Sequence, residues 1–199
     1  MSLVELPEPL SLAIAAVAVS LAFGLGSLLE GGVVAFALSS LAAVLAVIPH
    51  ELAHRGAARR MGMEGRYVLH PIGLALTLAS ALPFIPLKVV MPGVTLVFPL
   101  FYVEPGEARR IDGVVSLAGP ATNIAIATAC SAALALWGWG HPLAWLATYE
   151  VGLVSSWVAL FNLLPVPPLD GYKVLRWRPP LYLFALAVSL GLFIYLSSL

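Results

Sequence analysis

"VVAFALSSLAAVLAVIPHELAHRGAARRMG", residues 33–62, decides how the rest of the chain is read. Residues 33–54 form a nearly continuous apolar run, and a membrane-crossing helix needs about 20 such residues. The polar end of the run holds His50, Glu51 and His54, with Arg55, Arg59 and Arg60 just beyond. Ionisable groups at the end of a membrane helix are costly to keep there and tend to be functional. Four-residue spacing puts both histidines on one helix face, about one turn apart, where two imidazoles can reach one metal ion. Glu51 stands beside them, suited to hold a metal-bound water and take its proton. The five-letter pattern H-E-x-x-H also arises by chance, and a polar cap on a membrane helix is the plain alternative.

Composition supports the membrane reading. Of 199 residues, 61% are hydrophobic and 10% are charged, whereas soluble domains carry about 25% charged residues. No Lys/Arg-rich run suggests a nucleic-acid partner. The single cysteine, Cys130, excludes an intramolecular disulfide and reads as a small apolar side chain. The opening "MSLVELPEPL" has acids and prolines where a signal peptide would be basic, so the first apolar run is expected to be a retained anchor.

Five spans are predicted, at residues 10–28, 33–54, 112–137, 143–164 and 180–198, forming one domain over 1–199. The fold class is therefore an α-helical polytopic membrane protein. Glu30-Gly31-Gly32 supplies the break between the first two spans. Residues 65–110 carry Pro71, Pro83, Pro86, Pro92, Pro99 and Pro105, too many for an uninterrupted helix. This segment, with its β-branched "VTLVFPLFYV", is predicted to form short strands and loops that touch the membrane. A proline-kinked helix over 72–91 is the alternative.

Charge gives the orientation. All ten Lys and Arg residues fall after the second span, before the third, or between the fourth and fifth. With five spans these segments share one side, and the positive-inside rule makes it cytoplasmic. The N-terminus is then inside and the C-terminus outside. Trp137, Trp139 and Trp145 read as an interfacial belt on the far side.

A catalytic zinc has three protein ligands and an open position. His141 falls on the opposite side from the histidine pair, whereas His70, Glu64, Asp112 and Asp170 are all on the right one. Asp170 sits in "FNLLPVPPLDGYK", residues 161–173, where prolines and a glycine stop the helix. Spacing alone leaves it equally readable as a simple Asp-Gly turn.

Three motifs in order resemble the site-2 protease family of intramembrane zinc metalloproteases: His50-Glu51-x-x-His54, "SLAGPATN" (116–123), and Asn162-x-x-Pro165-x-Pro167-Pro168-Leu169-Asp170-Gly171. The resemblance covers about residues 31–175 and implies a minimal member without a PDZ or CBS domain. It implies His50, His54 and Asp170 as zinc ligands, Glu51 as general base, and Asn162 beside the reacting carbonyl. It also suggests Asn123 as a substrate-binding residue near the cleft, with a helix-packing amide as the equal alternative. The expected activity is zinc-dependent cleavage of a transmembrane helix of another protein within the bilayer. The rivals are a metal-ion transporter or channel and an inactive homologue that binds membrane helices. Pro49 departs from a regular helix and is expected to bend it beside His50. Glu150, inside the fourth span, is open to three readings, protonation in lipid, pairing with a neighbour or contact with the substrate path, and is not expected to be catalytic.

Overall fold

The computed structural model describes residues 6–100, 102–137 and 141–199. Among these, four helices are long and apolar enough to cross a membrane: α1 (Glu8–Arg60), α3 (Pro105–Trp137), α4 (Pro142–Asn162) and α6 (Pro179–Ser197). The protein is a polytopic helical membrane protein. α1 has 53 residues, about 80 Å at 1.5 Å per residue, which far exceeds a hydrocarbon core of about 30 Å. It resolves this excess at Gly32, whose φ of 72° and ψ of −163° break the helix. A positive φ is open to glycine without the Cβ penalty.

The two arms of α1 then run antiparallel. Ser27 and Ser39 share a hydrogen bond of 2.8 Å, and the Ser40 hydroxyl donates to the Ser20 carbonyl at 3.3 Å. Small residues permit this closeness: a Cβ on Gly24 would lie 2.6 Å from the Ser40 hydroxyl. Close packing through small residues is how helices associate in lipid, where no hydrophobic drive separates helix from solvent. The core continues this pattern, joining Val19, Ala42, Ala43, Ala46 and Val47 of α1 to Val154 and Val158 of α4. Large apolar side chains such as Leu29, Val33, Leu136 and Phe184 are instead exposed, facing where lipid would lie.

Between α1 and α3 lies a two-stranded antiparallel sheet, β1 (Met63–Leu69) and β2 (Gly93–Pro99), paired from Met63↔Pro99 to Leu69↔Gly93. The inner face of β1 packs beneath the first arm of α1, with Tyr67 and Leu69 against Ala15. Glu8 fastens the two together, accepting from the Tyr67 amide at 3.1 Å and pairing with Arg55 at 3.1 Å.

The predicted strand-and-loop region therefore contains its strands, but also a helix, α2 (Pro71–Ala79). His70 caps it, its Nδ1 accepting from the Gly73 amide at 2.9 Å, and Pro71 occupies the first turn, where its missing N–H costs nothing. Nine residues span only about 14 Å, so α2 is not the kinked membrane helix of the alternative. The connection back to β2 is pinned by Trp157, whose indole N–H donates to the Lys88 carbonyl at 2.9 Å.

Three boundaries move for identifiable reasons. The second arm of α1 continues to Arg60, and its backbone stays helical through Pro49, so the helix does not break beside His50. α3 starts at Pro105 rather than at 112, with Glu107 in its first turn paired to Arg110. The proline-rich stretch after α4 ends in a further short helix, α5 (Asp170–Trp177), rather than in a loop. Trp139 and the Trp137 side chain lie outside the described residues. Cys130 packs in the α3–α4 seam, opposite Gly152. Glu150 accepts from Ser39 at 3.0 Å, tying α4 to α1.

Candidate metal centre

α1 delivers two imidazoles to the centre of the bundle, where His50 and His54 are 3% and 5% exposed. α3 orients both. The His54 Nδ1 lies 2.7 Å from the Val115 carbonyl, and the His50 Nδ1 lies 2.5 Å from the Asn123 amide oxygen. A carbonyl only accepts, so His54 carries its proton on Nδ1. Asn123 uses its Nδ2 to donate to the Ala46 carbonyl at 2.9 Å. That turns its oxygen toward His50 and sets the same tautomer there. Both Nε2 atoms are consequently left with free lone pairs, and they lie 3.0 Å apart.

The third donor arrives from α5. Gly171, the residue after Asp170, has no room for a side chain, since its Cβ would fall 2.2 Å from the Leu163 carbonyl oxygen. Gly113 similarly makes room for Trp177. These two close approaches seat α5 against the end of α4 and against α3. Asp170 Oδ2 then lies 3.3 Å from His50 Nε2 and 3.1 Å from His54 Nε2.

Three electron-pair donors thus face one point. Ligands at 2.0–2.1 Å from a tetrahedral zinc lie about 3.3 Å from one another, close to the observed 3.0, 3.1 and 3.3 Å. Two nitrogens and a carboxylate oxygen are also a donor set that zinc accepts. Without a cation, three facing lone pairs would repel, so the residues present fit the metal. Among the described residues, His50, His54 and Asp170 form a group able to hold a metal ion.

Gly119 completes the pocket in a way that inspection of the sequence missed. A Cβ there would sit 2.5 Å from His54 Nε2 and 2.6 Å from His50 Nε2. Val115, Gly119 and Asn123 follow one another at four-residue steps along one face of α3. Two of them hold the imidazoles and the third leaves the gap between. The signal was present as a glycine inside a helix beside the proline of "SLAGPATN", but it does not reveal what approaches it.

The other anticipated residues are distributed around this centre. Glu51 and Asn162 line the same cavity as the three donors, together with β2 residues including Gly93 and Thr95. Thr95 donates its hydroxyl to Glu51 Oε2 at 2.9 Å. Asn162 spends one Nδ2 hydrogen on the Val158 carbonyl at 2.9 Å and has a second to offer. Asn123 is fully buried behind His50 and is not part of the cavity wall. Of the other third-ligand candidates, His70 is taken up in capping α2, Glu64 is exposed on β1, and Asp112 lines the cavity away from the donor group. His141 stands at the N-cap position of α4, away from the donor group and without a side-chain capping bond.

The model of peptidase family M50 matches residues 108–178, a stretch holding Gly119, Asn123, Asn162 and Asp170 but not the histidine pair. A protein of Methanocaldococcus jannaschii, named as a candidate zinc metalloprotease, is 30% identical over 164 residues, which is 82% of each chain. A Bacillus subtilis protein of like name is 33% identical over 147 residues, 64% of this chain and 62% of the relative. One from Mycolicibacterium smegmatis is 29% identical over 143 residues, 64% of this chain and 51% of the relative. The chain thus spans less than two thirds of the length of these two bacterial relatives. No solved structure matches it.

Proposed function

Because the chain belongs to peptidase family M50, the site-2 proteases, we propose that it hydrolyses a peptide bond within the transmembrane segment of another membrane protein. That the protein is a zinc metalloprotease of site-2 type in a membrane rests on the family and its named relatives. Cleavage within the bilayer is supported by the shared cavity of Glu51, the three donors and β2, set among apolar helices.

His50, His54 and Asp170 are the residues that would hold zinc. Zinc at such a site supplies Lewis acidity and lowers the pKa of a water to about 7. Glu51 accepts the proton of the attacking water and returns it to the leaving amine nitrogen. Asn162 offers its spare N–H to the carbonyl oxygen as negative charge develops there. Water and protons reach Glu51 from the cytoplasmic side, the side to which the positive-inside rule assigns all ten Lys and Arg residues. The N-terminus is then inside and the C-terminus outside.

A substrate helix hides its carbonyls in its own hydrogen bonds and must unwind before attack. Among the described residues β2 pairs with β1 alone, and it borders the cavity, so its other edge can hold the unwound segment by strand addition. Val97→Pro removes an amide of β2 that points away from β1, because the Tyr67–Thr95 pair two residues earlier leaves its amides unpaired within the sheet, and is expected to slow cleavage about tenfold, the equivalent of ~1.4 kcal/mol, with zinc content unchanged. Unaltered cleavage by this variant would rule out strand addition at β2.

The test of the function is reconstitution in detergent with zinc and a labelled transmembrane peptide. Peptide cleavage, its loss on treatment with a chelator and its return on adding zinc are the expected results. Zinc flux into proteoliposomes without any cleavage would replace the protease with a transporter.

A further inference from the structure

Resting on the reading of Glu51 as general base, we infer that Thr95 is a positioning residue that fixes the direction of the Glu51 carboxylate. Glutamate has three side-chain torsions, and nothing in the H-E-x-x-H motif determines where its carboxylate points. In the structure Thr95 Oγ1 donates to Glu51 Oε2 at 2.9 Å. Hydroxyl-to-carboxylate bonds are charge-assisted and stronger than neutral ones. The bond occupies one carboxylate oxygen and leaves the other to take a proton.

Thr95 is itself held stiffly. It is β-branched, which restricts its first torsion, and it stands directly opposite Tyr67 in the sheet register. Tyr67 is 2% exposed, packs beneath the first arm of α1, and has its amide tied to Glu8. The chain of constraint runs from the start of α1 through Glu8 and Tyr67 to Thr95, and from there to Glu51. The Tyr67 hydroxyl faces the same region: burial first, and then the charge of Glu51, push its pKa up. Among the described residues that hydroxyl has no hydrogen-bond partner, and it makes no bond to Glu51. Thr95 also lies on β2, so the strand proposed to receive the substrate is the one that aims the base.

Thr95→Val keeps the shape of the side chain and removes the donor; Thr95→Ser keeps the donor. In the reconstituted protein Thr95→Val is expected to lower kcat about 10- to 100-fold, the scale of a small misplacement of a reacting group. KM is expected to stay within about twofold on the same grounds, with zinc stoichiometry at the wild-type level. Thr95→Ser is expected to restore most of kcat. A readout independent of turnover is the infrared carboxylate band of Glu51, identified by its loss in Glu51→Gln. It should shift in Thr95→Val and return in Thr95→Ser. An unshifted band in Thr95→Val, or a serine variant as slow as the valine one, overturns the inference. A wild-type protein that shows the band pattern but cuts no peptide supports the Thr95–Glu51 bond and counts against the protease reading instead.

Discussion

Glu51→Gln lowers the rate of peptide cleavage by about 10²- to 10⁴-fold, the usual contribution of a positioned general base, and leaves zinc bound. The substitution is nearly isosteric, and the glutamine oxygen can still accept from the Thr95 hydroxyl, which lies 2.9 Å from Oε2 in the structure. None of the three donors is touched, so their separations of 3.0 to 3.3 Å should persist. What disappears is the capacity to take a proton from water and hand it to the leaving amine. The measurement is kcat with the labelled transmembrane peptide, beside zinc content by atomic absorption. Equal rates for both proteins would remove Glu51 from the mechanism. Equal zinc transport by both, with no cleavage by either, would favour the transporter.

Why some of this was readable in the sequence and some was not follows from the range of each signal. The five apolar rods were legible because a bilayer imposes a length of about 20 residues, and the break at Gly32 because glycines punctuate it. β2 was legible from "VTLVF" and its prolines, whereas β1, "MEGRYVL", carried no such signal. α2 and the start of α3 were harder, because Pro71 and Pro105 read as breakers when each in fact opens a helix. α5 was hidden for the same reason behind Pro165, Pro167 and Pro168. In the site, His50 and His54 declared themselves through local spacing. Asp170 did not: it reaches the histidines because Gly171 and Gly113 let α5 pack closely, and spacing alone left it equally readable as a ligand or an ordinary turn residue. The suggestion of Asn123 came from the family resemblance, whereas its contact with His50 is a matter of how α3 crosses α1. Thr95 belongs to the same class. Its chemistry depends on a strand register 44 residues away from Glu51, and no local pattern carries that.

Gly119→Ala is the sharpest separation of fold from function that the structure offers. In an ordinary helix the change from glycine to alanine stabilises by about 1 kcal/mol, but Gly119 precedes Pro120 within α3, and a Cβ beside the proline ring offsets that gain. The new methyl would also lie 2.5 Å from His54 Nε2 and 2.6 Å from His50 Nε2. Neither ring can easily swing away, since the Val115 carbonyl and the Asn123 amide hold their Nδ1 atoms from positions one turn to either side on the same helix. Moving the rings breaks those bonds, and leaving them in place fills the space between the donors. Zinc affinity is expected to fall at least about 100-fold, the upper range for disturbing groups that orient metal ligands, and cleavage with it. Thermal stability of the metal-free protein is expected to fall by no more than the displaced histidine bonds contribute, ~1–3 kcal/mol, so that the protein still folds. Gly191→Ala in α6, where a Cβ would meet nothing within 4 Å, is the control and should keep both zinc and cleavage. A Gly119→Ala protein that binds zinc as the wild type does would mean that the metal is not held between these two nitrogens.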